Sequence, residues 1–386
     1  MSAPTSRNRV LVTGIGLLGP GADSPESFWS MLEAGGAPRP QRLATVEGDY
    51  LGFPAGDAAP ASESRLERLA LQAAANAVAD AALAPEALGE AGVYWGTTHG
   101  SIDVFERAQM RQSAAGRAHQ LYGVTALVAE RFHCGGPQQV FSTACSASLN
   151  AIGLAAEQIA DGCVDVMLAG GAELCSRVGL AAFSRLGGID SQYCRPFDQR
   201  REGAVFGEGA AVLILESEAH FVARGGQRAY CSVDGFGWSC DAHHVTAPEP
   251  SGELILAAMR DALARAGKPA EAIGCILPHG TGTRLNDQVE ASALAGLLGE
   301  RLAATPVFPL KAFIGHGAGA AGVFSCAVAA LICARRSVPG VVNCEQPEFE
   351  LFLPPTGTRV PGLDSVLVNG YAFGGNNASV VLGALQ

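Results

Sequence analysis

Apolar positions along this chain switch between runs of a few consecutive residues and a helical three-to-four spacing, and each switch marks an element. Short apolar runs at Val10-Leu11-Val12, Gly92 to Gly96, the segment ending near Phe141, Val164 to Gly170 and Ala211 to Leu215 predict buried strands. Further strands are expected from about Ala229 to Phe236 and at Ile273 to Leu277, Thr305 to Leu310, Ser365 to Asn369 and Ser379 to Leu382. Helical spacing runs from Ser62 to Leu83, Val104 to Gln112, Leu121 to Phe132, beyond Cys145 to Asp161, after Gly252, from Leu285 to Leu298, and after His316. Strand and helix alternate twice over, which predicts an α/β protein with helices on both faces of mixed, mostly parallel sheets. No repeat is visible residue by residue.

One junction carries a thiol. Cys145 stands in Val140-Phe141-Ser142-Thr143-Ala144-Cys145-Ser146-Ala147-Ser148, where a strand-like run gives way to an alanine- and leucine-rich helical one. Unpaired N–H groups and the positive end of the helix dipole favour thiolate there. Two readings stand for this residue alone: a nucleophile presented at a strand-turn-helix junction, or a small buried core residue like most of the eleven cysteines.

Two later strand exits carry histidines among small residues that let a substrate approach. His279 lies in Pro278-His279-Gly280-Thr281-Gly282-Thr283, and His316 lies in the segment from Lys311 to Gly322, which is rich in glycine and alanine. A single histidine is more often a satisfied core or surface residue. Two at matching exits, with a thiol at a third, form a candidate constellation.

The pattern Gly14-Ile15-Gly16-Leu17-Leu18-Gly19 fits a dinucleotide fingerprint, which requires a helix to start inside the glycine turn. Here Pro20, Gly21 and Asp23 prolong the loop, and the helix is expected at Ser24-Pro25-Glu26, with Ser24 as cap and Pro25 first in the helix. No acidic strand end follows about 20 residues on. A nucleotide site is therefore not expected.

Length and composition narrow the class further. The 386 residues, 48% of them hydrophobic with 49 glycines, suit a large α/β core with many turns. No apolar stretch reaches the roughly 20 residues that span a bilayer, and Pro4, Ser6, Arg7 and Asn8 precede the first strand in place of a signal-peptide core. A cytoplasmic location with free thiols and no structural metal is expected, because the cysteine count is odd and metal-type CxxC pairs are missing. A net charge of −11 argues against nucleic-acid binding.

These segments together resemble a β-ketoacyl-acyl-carrier-protein synthase of the KAS I/II type, a condensing enzyme of the thiolase superfamily. The resemblance spans essentially the whole chain. It runs from Val10 to Gly16 through the thiol segment, Arg195-Pro196-Phe197-Asp198, Gly203 to Ala210, both histidine segments, and Ala372-Phe373-Gly374-Gly375-Asn376-Asn377. It implies a five-layered α-β-α-β-α fold of two similar halves, residues 1–240 with the nucleophile and 241–386 with both histidines and a gating loop. It also implies dimers, either homodimers or heterodimers with a related subunit.

The resemblance assigns roles. Cys145 would carry the acyl group, His279 and His316 would donate to the malonyl thioester oxygen, and Lys311 would organise the site. The N–H groups of Cys145 and Phe373 would form the oxyanion hole, with Phe373 as a gate on Gly374 and Gly375. Thr281 and Thr283 would contact the phosphopantetheine arm of an acyl carrier protein, with no cofactor bound by the enzyme itself. Because the carrier is acidic and so is this chain, docking needs a local basic patch. Arg65, Arg68, Arg185 and Arg195 are the candidates, while Asp198 and Glu208 are read as structural.

Some positions depart from the family pattern. Ala372 replaces the glycine before the gate, Asn376 a threonine, and Ser325 a glutamate whose carboxylate would sit near Lys311. These departures favour polyketide or polyene synthesis over housekeeping fatty-acid synthesis. Three rivals are weighed. A non-catalytic chain-length-determining subunit usually lacks the nucleophile, a thiolase would need a second cysteine near the C-terminus, and a KAS III-type enzyme would carry asparagine at His316.

Overall fold

The computed structural model describes residues 7–36, 39–43, 50–56, 64–110, 120–190 and 192–386. Nine strands form one continuous sheet: β1 (Val10–Leu18), β2 (Gly92–Gly96), β3 (Gln138–Phe141), β4 (Val166–Glu173), β5 (Gly209–Ser217), β6 (Cys231–Cys240), β7 (Ile273–Leu277), β8 (Ser365–Ala372) and β9 (Asn376–Gly383). Their order is β7-β8-β9-β6-β1-β5-β4-β2-β3. The main helices are α1 (Pro25–Glu33), α2 (Arg65–Asp80), α3 (Ile102–Met110), α4 (Gly123–Phe132), α5 (Ala147–Ala160), α6 (Arg177–Arg185), α7 (Glu253–Ala266), α8 (Arg284–Leu298) and α9 (Ala321–Arg335). Ser62 and Gln112, outer bounds of two expected helices, lie outside the described residues.

The expected strand at Thr305 to Leu310 is an extended segment instead. Pro306 and Pro309 have no N–H to donate, so it keeps only isolated parallel bridges, from Val307 to Ile276 beside β7 and from Pro306 to Phe352. With that segment counted, both halves share one plan. In each, the third strand lies outermost, followed by the second, fourth, fifth and first. The halves meet at β1 and β6, which pair through only two positions, Leu11 with Ser232 and Val12 with Cys231.

"Mixed" holds for the sheet, and "mostly parallel" is corrected. Three pairings are parallel (β2 with β3, β2 with β4, β7 with β8) and five antiparallel (β1 with β5, β1 with β6, β4 with β5, β8 with β9, β6 with β9). The three-residue turn Phe373–Gly375 joins β8 to β9, and so short a link admits only an antiparallel pair.

Helices α5 and α9 pack together between the two halves of the sheet, with α2 and α4 outside one half and α7 and α8 outside the other. This is the five-layered α-β-α-β-α arrangement. Every residue of α9 from Ala321 to Cys333 is buried, so the apolar stretch from Ala318 to Arg335, long enough by composition to cross a bilayer, is a core helix here.

Gly14 and Gly16 lie in the middle of β1, where an added Cβ would come within 2.4 Å of the Ala77 carbonyl and 2.0 Å of the Ala73 carbonyl in α2. They allow strand and helix to approach closely. Helix α1 starts at Pro25 under a Ser24 capping box, well after this glycine run.

Candidate active site

After β3 the chain turns sharply through Ala144, at φ 47°, into a 3₁₀ turn and then α5. A non-glycine residue in this region is strained, and the strain presents Cys145 at the inner end of the helix. The second half repeats the device: Ala318, at φ 42°, precedes α9 and follows His316. His316 is held by its N–H to the Val205 carbonyl at 2.7 Å, and its own carbonyl accepts from Gly207 N at 3.1 Å.

The three segments converge. His316 Nε2 lies 3.0 Å from Cys145 Sγ, and the rings of His279 and His316 stand 5.4 Å apart at 85°. All three residues are buried. Their ligand-type atoms fall within 4.8 Å of one another, close enough to share a soft metal ion. Lys311, whose Nζ sits 3.4 Å from His279 Nδ1, would place a competing positive charge beside such an ion.

Lys311 is buried behind His279, with Nζ donating to the His279 carbonyl as well as facing Nδ1. A donor on Nδ1 leaves the proton of a neutral imidazole on Nε2, the nitrogen free to meet a substrate. Burial, then the charge of Lys311, holds His279 and His316 well below their ordinary imidazole range, so both are neutral near pH 7.

Burial also pushes the Cys145 thiol up to about 11, although Lys311 and the backbone N–H groups of Cys145 and Phe373 oppose it. The helix terminus alone does not yield a resting thiolate, because desolvation outweighs it. The thiol needs a base, and His316 Nε2 is in place.

A carboxylate that the sequence did not single out completes the frame. Glu290 on α8 is fully buried and accepts from His279 N and Gly280 N, each at 2.7 Å. Its charge is the strongest influence favouring the ammonium form of Lys311, while burial acts against it. A carboxylate charge acting on Lys311, which Ser325 does not provide, is thus supplied from another helix. Asp287, also fully buried, anchors the same loop through Gly282 N at 3.2 Å. The legible signal was a pair of acids three apart on one face of a helix otherwise facing the core.

A cavity of about 530 Å³ reaches these groups, lined by Cys145, His279, His316, Thr281, Thr283 and Phe373 among others. Gly374 and Gly375 do not line it. At φ 82° and 75° they shape the turn that carries Phe373, tied down by Gly374 N to the Val245 carbonyl at 2.8 Å. Ala372 is extended, at φ −126°, so its methyl group fits without strain. Phe373 stacks on Phe183 of α6, with centroids 5.0 Å apart at 15°, a partner that sequence reading passed over.

Two of the four docking arginines are corrected. Arg65 is paired with Glu208 at 2.5 Å, its side chain only 12% exposed, and Arg195 is paired with Asp190 at 2.9 Å. Neither charge is available to a partner, since each is consumed inside the fold. Arg185 is exposed at the end of α6, and Arg68 is half-buried. Asp198, paired with Arg200 and accepting backbone N–H groups, and Glu208 are structural.

Two sequence profiles match this chain: the beta-ketoacyl synthase N-terminal domain over residues 55–220 and the C-terminal domain over 230–345. The chain belongs to the beta-ketoacyl synthase family. It is 32% identical to the tetracenomycin polyketide synthase ketoacyl synthase alpha subunit of Streptomyces glaucescens, across 98% of this chain and 97% of that one. It is 31% identical to 3-oxoacyl-[acyl-carrier-protein] synthase 2 of Vibrio cholerae, across 97% and 99%. Among solved structures, a chain of the ishigamide ketosynthase/chain length factor superposes with a TM-score of 0.88 at 30% identity, covering 98% of this chain and all of that one. A chain from the structure of a type II polyketide synthase acyl-carrier protein in complex with its ketosynthase bound to the hexaketide superposes with a TM-score of 0.90 at 25% identity, over 98% of this chain and 100% of that one. Beta-ketoacyl synthases are acyltransferases, and this one retains a thiol and two imidazoles in mutual contact.

Proposed function

We propose that this ketosynthase condenses an acyl group held on Cys145 with malonyl-acyl carrier protein, in polyketide or polyene synthesis more than in fatty-acid synthesis. The observation that carries the reading is the contact of His316 Nε2 with Cys145 Sγ beside a second, lysine-backed imidazole.

The sulfur of Cys145 attacks the acyl thioester as its proton passes to His316 Nε2. The carrier's carbon–sulfur bond breaks, and the proton leaves with the departing thiol, because the buried imidazole does not retain charge. With Cys145 acylated, His316 Nε2 no longer faces a thiol and the neutral ring exchanges its proton with solvent to the tautomer protonated on Nε2; Nε2–H of His279 and of His316 then donates to the malonyl thioester oxygen. The bond to the carboxylate breaks, CO₂ departs, and the electron pair moves into an enolate held by those donors. The enolate carbon then attacks the acyl carbonyl, whose oxygen is met by the N–H groups of Cys145 and Phe373. The sulfur of Cys145 leaves, and the product is a 3-oxoacyl carrier.

The half that ends with β5 supplies the nucleophile, and the half that begins with β6 supplies the imidazoles and the gate; the division expected at 240/241 is corrected, since it would cut β6 away from the half whose first strand it is. Thr281 and Thr283 line the arm's path, and Phe373 gates it on the turn formed by Gly374 and Gly375. Arg68 and Arg185 remain docking positions. The enzyme uses no bound cofactor or metal of its own, its substrates arriving on the phosphopantetheine arm, and it acts in the cytoplasm, where its eleven free cysteines stay reduced. It forms a homodimer, or a heterodimer with a related subunit, and binds neither nucleic acid nor membrane. A non-catalytic chain-length-determining role is disfavoured by the retained thiol and imidazoles.

Intact-protein mass measurement with acyl-carrier substrate tests this reading. An acyl adduct is expected on the native protein and none on Cys145→Ala, and an adduct surviving on Cys145→Ala refutes it. His279→Ala is expected to keep the adduct while CO₂ release from malonyl-carrier falls by about a hundredfold or more, the usual loss for a removed oxyanion donor.

A further inference from the structure

Arg284 is the first residue of α8 and lines the outer part of the catalytic cavity, with its side chain exposed. Its backbone is fixed where its side chain is free. The carbonyl of Arg284 accepts from Nη2 of the buried Arg201 at 3.1 Å, and Asp287, one turn on, accepts from Phe197 N at 2.8 Å. Among the described residues its guanidinium has no hydrogen-bond or ion-pair partner, unlike Arg65 and Arg195, whose charges are paired internally.

Its surroundings describe a ligand. Leu186 and Leu285, 55% and 59% exposed, line the same cavity and offer apolar contact. Thr281 and Thr283 continue the wall inward toward His279, their hydroxyls 2.8 Å apart. The Thr283 hydroxyl therefore faces Thr281 and does not cap α8, so the positive end of this 15-residue helix adds to the charge of Arg284. Glu202 also lines the cavity and is exposed, so the basic character is local to Arg284 and not general to the opening.

We propose that Arg284 binds the phosphodiester of the carrier's phosphopantetheine arm, and so sets how deeply the arm enters. This rests on the condensing reading. If the thioester end of the arm reaches Cys145, its phosphate lies toward the outside, and a guanidinium there meets a phosphate through two parallel donors. The hydroxyls of Thr281 and Thr283 meet the amides and hydroxyl of the arm between those two ends. In a chain of net charge −11, one free guanidinium at the opening also offsets the mean field that repels an acidic carrier.

The test is calorimetric binding of S-blocked phosphopantetheine and S-blocked pantetheine, which differ only in the phosphate and need no turnover. The native protein is expected to bind the phosphorylated arm about tenfold more tightly, the size of one charge-assisted pair. Arg284→Ala is expected to bind both arms with the affinity the native protein shows for pantetheine, and Arg284→Lys to keep part of the preference. A native protein without preference, or an Arg284→Ala protein that keeps it, overturns the proposal. Failure of the acyl-adduct experiment on Cys145 would strike the condensing reading and leave this binding result standing on its own.

Discussion

His316 Nε2 stands 3.0 Å from Cys145 Sγ, and the thiol it faces is pushed up to about 11 by burial, so sulfur and imidazole are both neutral at rest. Lys311 is the first charge opposing that burial. A cation stabilises thiolate, so its removal raises the thiol pKa further. In Lys311→Met, Cys145 is expected to be alkylated by iodoacetamide more slowly than in the native protein at pH values low enough for Lys311 to hold its proton, and the difference is expected to vanish by about pH 11, because burial lowers the lysine below its usual 10.5. A profile that is unchanged, or displaced toward lower pH, would show that Lys311 does not act on the sulfur through its charge.

Arg65 and Glu208 form a buried pair, the guanidinium also donating to the Ala55 carbonyl and the carboxylate accepting from Cys175 N at 3.0 Å. Removing one member leaves the other charge buried and uncompensated, which costs about 3 kcal/mol or more. Arg65→Ala is expected to lower the midpoint of thermal unfolding markedly while leaving the KM for malonyl-carrier within about twofold in protein that remains folded, the small effect expected of a charge that faces no partner. A raised KM with unchanged stability would restore Arg65 to the docking surface.

What was legible in the sequence follows from where each piece of information resides. Strands such as β7 and helices such as α8 carry their period locally, and the convergence of Cys145, His279 and His316 follows from their matching places at the ends of strands or of strand-like segments. Thr305 to Leu310 misled because its apolar content suits a strand, while Pro306 and Pro309 remove the donors a ladder requires. The docking arginines misled for a different reason. The fate of Arg65 is decided by Glu208, 143 residues away, and no local pattern tells a paired guanidinium from a free one. Glu290 was passed over because an acid on a helix ordinarily faces water, and only its place next to His279 and Lys311 gives it a task.

Phe183 holds Phe373 by ring stacking and meets Phe206 edge to face at 4.7 Å, and Phe206 in turn stacks on His316 at 5.9 Å. If Phe373 gates the cavity, the closed state is favoured by its pair with Phe183, worth about 1 kcal/mol beyond the area it buries. Phe183→Leu keeps an apolar side chain but removes that pairing, so the open population should rise about fivefold. Gly374→Ala acts in the same sense, because φ 82° in the stacked arrangement is strained for alanine, which disfavours that arrangement. The measurement is the ratio of Cys145 alkylation rates by a bulky and a small haloacetamide at fixed pH. Phe183→Leu is expected to raise that ratio about fivefold, following the open population, and Gly374→Ala to raise it as well. An unchanged ratio in Phe183→Leu would mean that the stacked pair is only packing and that Phe373 moves without reference to α6.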